Sequence, residues 1–440
     1  MNLPRSSLML GLLTSGLLSA CGSVAPAPSL TAAGDAVATP TASYPYAVTL
    51  AVTAADAPEQ LAARYDGKVI AFRPQQGYAL LATRSATLPQ DSAHAPVRES
   101  NARAVSGGGM TAFASGKATV WASGKATVWA SGQFQVVPEN TSIWTQIHLE
   151  QAQKLAPHLG QGVKVAMIDT GLDLSHEAFQ GSLAPQNEWR DFYDDDNDPS
   201  DVGTFGEGGY GHGTNTAGIV LQIAPAATIL PLRALGPDGS GDVLSVARAI
   251  DWAVSCHASV INLSLGTGSR SKIIQDAMDR ASEAGVLITV SAGNEGQNRL
   301  NYPADDAASG KHKDRVISVG SVSRLDLKSS FSNYSSHLEL MAPGEEVYGP
   351  APHNMLAAWS GTSMSAPVAA GALALALGEH PDARLAAPSS SPEAVAAHLL
   401  ASADPVDALP GNLPYRGKLG SGRANLETFL RSLKAGDKGN

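Results

Sequence analysis

From about residue 140 onward the chain alternates between two hydrophobic patterns. Short, nearly continuous apolar runs at 163–168, 228–232, 260–265, 286–290 and 316–319 predict strands buried on both faces. Between them apolar positions fall at helical spacing. Val243, Val246, Ala247, Ile250, Ala253 and Val254 share one helix face, and Ile273, Ile274, Ala277, Met278 and Ala281 share another. Apolar strands separated by amphipathic helices predict an α/β fold, a doubly wound and mostly parallel sheet with helices on both faces. Such sheets bind ligands beyond the carboxyl ends of their strands, so chemistry is expected in the residues that follow the strands.

Ahead of this region the pattern changes. Tyr46, Val48, Leu50 and Val52 alternate with Ala47, Thr49 and Ala51 as in a half-buried strand; a short helix opens at Pro58, and 68–72 and 78–82 supply two more strands. These make a small α+β unit over 44–84 that needs a partner surface to bury enough core. Residues 85–139 lose periodicity, carry Gly107-Gly108-Gly109, and contain a tandem repeat: ASGKATVW at 114–121 recurs letter for letter at 122–129, before a third Ala130-Ser131-Gly132. A period of eight is too short for a helical solenoid. It leaves a small β-meander with Ser-Gly turns or, the preferred reading, a linker that tolerated a duplication. Residues 22–43, rich in Ala, Pro, Ser and Thr, read as a flexible tether, and 431–440 as a C-terminal tail.

At 440 residues the chain exceeds what one hydrophobic core serves, which suits one large domain over 140–430 with smaller attachments. With 43% hydrophobic and 16% charged residues, wholesale disorder is excluded. A formal net charge of -10, without any Lys/Arg-rich run, argues against nucleic acid as a partner. Two cysteines, Cys21 and Cys256, exclude a disulfide framework. Residues 1–21 place Arg5 before an apolar stretch at 8–18 and end on Leu18-Ser19-Ala20-Cys21, the layout of a secretory signal and too short to span a bilayer. Leu18 suits ordinary cleavage after Ala20 poorly, whereas the four residues resemble a bacterial lipoprotein box in which Cys21 takes lipid and becomes the mature N-terminus. Plain secretion is the alternative. Both export the protein, to the cell envelope on a lipid anchor or beyond it. Cys256, between a helix and a buried strand, reads as a packed thiol.

Three short segments carry the candidate chemistry. The first strand ends at Asp169-Thr170-Gly171, a carboxylate at the reactive edge of the sheet, although Asp also commonly starts turns. Gly211-His212-Gly213-Thr214 leads into a helix start, where the histidine is either functional or a cap. Ser360-Gly361-Thr362-Ser363-Met364-Ser365-Ala366-Pro367 runs into an apolar helix. A serine at that amino end gains from the helix dipole, which favours a developing oxyanion. Helix capping alone does not account for the whole string, and by composition Ser365 is a rival nucleophile to Ser363.

In this order the three segments resemble the motifs of the subtilisin family of serine peptidases, over residues 140–430. The resemblance implies a serine endopeptidase acting through an acyl-enzyme, with Asp169, His212 and Ser363 as its triad. It implies Asn294, in Ser291-Ala292-Gly293-Asn294-Glu295-Gly296, as oxyanion donor beside the Ser363 N–H. Gly239-Ser240-Gly241 and Ser264-Leu265-Gly266 are similar to the segments that hold an extended peptide substrate as an added strand, which implies broad specificity. Asn301, before Tyr302-Pro303 where glycine is usual, is expected to narrow or polarise the specificity pocket. The unit at 44–84 stands where the family carries a propeptide, an intramolecular inhibitor removed by the enzyme itself. No cofactor is implied for the chemistry, and a monomer is expected. The helix after His212 runs straight to Ala224-Pro225, leaving out a calcium loop that many relatives carry. The acidic stretch Asp191, Asp194, Asp195, Asp196, Asp198 and Asp201 could bind Ca2+ for stability or be a solvated loop. From another class, a catalytically silent envelope binding protein on the same fold is the alternative function.

Overall fold

The computed structural model describes residues 44–101, 112–114, 117–122, 137–204, 209–308, 313–379 and 391–436. Cys21, with the signal and tether, lies outside the described residues. At the centre is a seven-stranded sheet in the order Leu340–Pro343, Val316–Val322, Leu287–Ser291, Val260–Leu263, Lys164–Asp169, Thr228–Arg233 and Arg190–Asp191. Every neighbouring pair is parallel. All five predicted strands are present.

Alternation along a strand sends successive residues into opposite layers. Val165 and Met167 join the core beneath helices His212–Ile223, Thr362–Glu379 and Leu426–Gly436. Ala166 and Ile168 join the opposite core, beneath Val243–Ser255 and Lys272–Glu283. The predicted helix faces are buried as expected, except that Val254 is only half-buried. Asp242 and Ser271 start these two helices by accepting the Ser245 and Ile274 N–H groups at 2.8 and 3.1 Å. From Lys164–Asp169 the chain adds Thr228–Arg233 on one side, then returns to add Val260–Leu263 on the other. This reversal makes the carboxyl end of Lys164–Asp169, where Asp169 sits, the topological switch point at which such sheets open a crevice.

The boundaries of the smaller parts are corrected. The N-terminal sheet, in the antiparallel order Gly67–Arg73, Tyr78–Thr83, Tyr46–Ala51, Val97–Ser100, takes its fourth strand from the stretch assigned above to the linker, so the unit runs past 84 to about residue 100. Val-Arg-Glu-Ser at 97–100 has one apolar residue and no alternation, which hid that edge strand. Two further strands, Ala112–Ala114 and Lys117–Ala122, also fall within the supposed linker. The final helix, Leu426–Gly436, reaches into the supposed tail at 431–440, because Phe429, Leu430 and Leu433 bury one face.

The small unit docks on the outer face of the second helical layer. Its Ala47, Leu80 and Ala82 enter that core. Tyr78 Oη donates to Asp251 at 2.5 Å, and its ring lies under the Arg280 guanidinium at 3.7 Å. Glu99 accepts Ser271 Oγ at 2.6 Å and the N–H groups of Lys272 and Ile273 at 2.9 and 3.1 Å, placing a carboxylate on the amino end of Lys272–Glu283. Among the described residues no helix is long and apolar enough to cross a membrane.

Candidate active site

Asp169, His212 and Ser363 come from three separate elements and are all buried. Asp169 ends its strand. Its Oδ1 accepts His212 Nδ1 at 2.7 Å and the Thr170 N–H at 2.7 Å, and its Oδ2 accepts Thr216 Oγ1 at 3.2 Å. His212 begins the helix His212–Ile223 between two glycines with different duties. Gly211 takes a left-handed φ of 87°, and at Gly213 a Cβ would lie 2.2 Å from the Gly171 carbonyl oxygen. The helix start can therefore press against the turn after Asp169. The His212 and Trp359 rings meet edge to face, with centroids 5.4 Å apart. With Nδ1–H donated to a carboxylate, Nε2 is the basic nitrogen, and it is buried with no hydrogen-bond partner among the described residues.

Ser363 lies in the first turn of Thr362–Glu379, and Pro367 inside that helix explains its surroundings. Pro367 has no N–H to give the carbonyl four residues earlier, which belongs to Ser363. That carbonyl instead accepts Ser264 Oγ at 2.7 Å, while Ser363 Oγ donates to the Ser264 carbonyl at 3.3 Å. Ser264, expected only to line a binding strand, thus clamps the Ser363 backbone, and Asn262 Nδ2 holds its hydroxyl at 2.9 Å. Ser264→Ala is expected to cost about 1–3 kcal/mol of stability by leaving the Ser363 carbonyl unpaired. Denaturant midpoints measured in the uncut Ser363→Ala background check this, and an unchanged midpoint would remove the clamp from the account. Ser365 Oγ donates to the carbonyls of Ala342 and Pro343 at 3.1 and 3.3 Å, a structural role away from the reacting edge.

Asn294 follows the carboxyl end of Leu287–Ser291. Its Oδ1 accepts both the Thr362 N–H at 2.8 Å and Thr362 Oγ1 at 3.0 Å, so the amide is oriented with Nδ2 unpartnered among the described residues. Gly293 N–H donates to Thr362 Oγ1 at 3.1 Å and ties the same loop to the start of the serine helix. Asn301 packs beside Gly266 and Gly293, where added Cβ atoms would fall 3.1 Å from its Cβ and 2.6 Å from its Nδ2. It donates to Glu295 at 3.2 Å and lies near Asn333, which donates to Glu295 at 2.6 Å. Periodicity gave no signal for Glu295 and Asn333, since a loop partner is set by the fold.

The two predicted binding segments hold a strand of this same chain. Ser240–Gly241, following Gly239, pairs antiparallel with Ala112–Ala114, and Leu265–Gly266 pairs antiparallel with its other edge. The registers set Ser240 and Gly266 opposite Phe113, Gly241 opposite Ala112, and Leu265 opposite Ala114.

Part of the acidic stretch is turned inward toward arginines, while Asp196 and Asp198 are exposed. Asp191 and Asp194 both meet Arg233 Nη1 at 2.6 Å, Asp195 meets Arg248 at 2.7 Å, and Asp198 accepts Ser200 Oγ at 2.5 Å. Among the described residues no three His, Cys, Asp or Glu side chains gather as metal ligands. Asp201 accepts the Gly211 N–H at 2.9 Å and Thr214 Oγ1 at 3.1 Å, anchoring the start of the histidine helix. Burial pushes its carboxyl well above the usual carboxylate range, the Thr214 bond opposes this, and the nearby Asp169 charge adds to it. Cys256 is buried, which raises its thiol.

Three comparisons bear on this arrangement. Residues 160–427 match the model of the subtilase family. Subtilisin DY of Bacillus licheniformis is 35% identical over 238 residues, which are 50% of this chain and 79% of that protein. Thermitase of Thermoactinomyces vulgaris is 36% identical over 240 residues, 52% of this chain and 79% of thermitase. Among solved structures, a protease of Pseudoalteromonas arctica superposes with a TM-score of 0.56 at 25% identity, covering 67% of this chain and 98% of the other.

Proposed function

The chain belongs to the subtilase family of serine endopeptidases, and from that membership we propose that Asp169, His212 and Ser363 are its catalytic triad, made as a zymogen and exported. The observation that carries this reading is the buried Asp169–His212 pair, bonded through Nδ1 at 2.7 Å, with Nε2 left as the available base. Ser363 Oγ attacks a peptide carbonyl while His212 takes its proton, and His212 returns that proton to the leaving amine. Asp169 keeps the imidazole in the required tautomer and stabilises its cation. Water then hydrolyses the acyl ester by the same route in reverse.

The developing oxyanion is held by Asn294 Nδ2 and the Ser363 N–H, which points out of the first turn of its helix. Substrate lies as an extended strand between Ser240–Gly241 and Leu265–Gly266, so recognition is mainly through backbone and is broad. Asn301, with Asn333 and Glu295 behind it, gives the specificity pocket a polar wall that disfavours large apolar side chains. The unit at 44–100 acts as propeptide and inhibitor.

A serine-directed fluorophosphonate should label the wild-type protein and not Ser363→Ala. Absence of labelling in folded, propeptide-free protein would instead favour the silent binding protein. Lipidation of Cys21 would hold the uncut chain at the cell envelope, and Cys21→Ala in a Ser363→Ala background should shift it from the membrane to the soluble fraction. Retention on the membrane would exclude that anchor.

A further inference from the structure

We propose that the Lys328 ammonium is the built-in cation of a small carbonyl-lined cage, and that through this cage Lys328 positions the loop that carries Asn294. The proposal rests on the peptidase reading above, in which Asn294 donates to the oxyanion. Lysines ordinarily keep the ammonium in water. Lys328, a few residues beyond Val316–Val322, is only 8% exposed and turns its ammonium inward. Its Nζ donates to the carbonyls of Ser329 and Ser332, each at 2.8 Å, and reaches that of Ser330 at 3.5 Å. It also lies over the rings of Tyr415 and Tyr334, at 4.7 and 5.2 Å from their centroids, and those two rings pack edge to face. Three N–H groups thus meet three carbonyls, and the ring faces add negative potential. The carboxylate of Asp326, two residues earlier, is engaged by Gln146 at 2.5 Å and Arg423 at 2.9 Å. Burial lowers the Lys328 pKa to about 8, which leaves the group charged at neutral pH.

Carbonyls from three of four successive residues that converge on one point repel one another, and buried carbonyls left without donors are costly. A compact cation with three donors resolves both problems. The run is also fixed at its start, where the Lys328 N–H donates to Asn412 Oδ1 at 2.8 Å and Asn412 Nδ2 donates to the Asp326 and Val406 carbonyls at 2.8 and 3.0 Å. The same run grips the oxyanion loop. Between Ser330 and Ser332, Phe331 gives its carbonyl to the Gly296 N–H at 2.6 Å. The Asn333 N–H donates to the Gly293 carbonyl at 3.0 Å, its Oδ1 accepts the Gln297 N–H at 2.9 Å, and the Tyr334 N–H donates to the Gln297 carbonyl at 3.0 Å.

These bonds fall on both sides of Asn294, at residue 293 and at 296–297. Thr362 therefore anchors the Asn294 side chain, while the run ordered by Lys328 anchors its backbone. An oxyanion donor acts only at about 2.7–3.1 Å from the developing charge, so a shift of this loop is read directly in turnover. Lys328 touches no reacting atom and acts through Asn294.

Lys328→Met and Lys328→Ala test this. Methionine keeps an apolar stem without donors, and alanine leaves a gap the size of n-propylammonium. In both, kcat on a small peptide substrate, counted per fluorophosphonate-titrated site, should fall about 10- to 100-fold, part of the roughly 100- to 1,000-fold carried by the donor itself. In an Asn294→Ala background no donor remains to be misplaced, so Lys328→Met should change kcat less than about 3-fold. Added n-propylammonium should bring Lys328→Ala to within about 3-fold of wild type, whereas n-propanol should not, and Lys328→Met should not respond to the amine. If Lys328→Ala does not fold, the amine should restore folding and turnover together. Wild-type turnover in Lys328→Met, equal losses in both Asn294 backgrounds, or Lys328→Ala unresponsive to the amine overturns the assignment and, with an active wild type, leaves the peptidase reading standing. A wild type that neither hydrolyses peptide nor takes up fluorophosphonate overturns that reading and the assignment with it.

Discussion

Replacing Ser363 by alanine is expected to lower kcat on the order of 10^6-fold, the magnitude known for the nucleophile of subtilisin, with substrate affinity little changed. The hydroxyl is the atom that forms the ester, so its loss leaves only the background from binding and oxyanion donors. The competing expectation concerns Ser365, two residues on. Its hydroxyl is committed to the carbonyls of Ala342 and Pro343, so Ser365→Ala should cost stability, about 1 kcal/mol for each lost bond, and keep fluorophosphonate labelling. Steady-state kinetics and labelling of both variants decide between them. Labelling that survives in Ser363→Ala and disappears in Ser365→Ala would reverse the assignment.

Asn294→Ala is expected to reduce kcat about 100- to 1,000-fold with KM within a few-fold, because an oxyanion donor acts mainly once the tetrahedral charge develops. This residue has two ends. Oδ1 is spent on Thr362, through its N–H and hydroxyl, so alanine removes a structural tie as well as a donor. Asn294→Asp separates the two. It keeps an oxygen for Thr362 and replaces the Nδ2 donor by a second carboxylate oxygen, which repels the oxyanion. If Asn294 donates to the oxyanion, the aspartate variant should be at least as slow as alanine, with an unchanged melting temperature. Near-normal turnover by Asn294→Asp would show that the residue serves only to hold Thr362.

Much of the large domain could be read from its letters. Continuous apolar runs such as 260–265 and 286–290 have no polar face to give to solvent, so they become interior strands of a parallel sheet. The edge strands escaped this reading because they do not need it. Among the described residues Val97–Ser100 pairs on one side only and has a single apolar residue, Val97, which is itself exposed, and Arg190–Asp191 is two residues long. Asp169, His212 and Ser363 were legible as local motifs, each with a short-range reason: a strand end, a glycine-flanked helix start, a helix amino terminus. Ser264, Asp201 and Thr216 support them from positions whose sequence neighbourhood carries no mark of that role. The Ser264 clamp depends on Pro367, 103 positions later in the numbering, withholding an N–H that any other residue would have supplied.

The α/β alternation, the order of the three chemical segments and the repeat with its period of eight are legible in the letters alone. These follow from side-chain periodicity and local backbone preference, which act over a few residues. The folded structure is needed to show that Asp169 and His212 meet at 2.7 Å, that Asp191, Asp194 and Asp195 answer Arg233 and Arg248, and that Ala112–Ala114 pairs between Ser240–Gly241 and Leu265–Gly266. Strand pairing has no local signature: the Ala112–Ala114 backbone can pair with any open edge of suitable register. Only the folded chain supplies those edges, on Ser240–Gly241 and Leu265–Gly266.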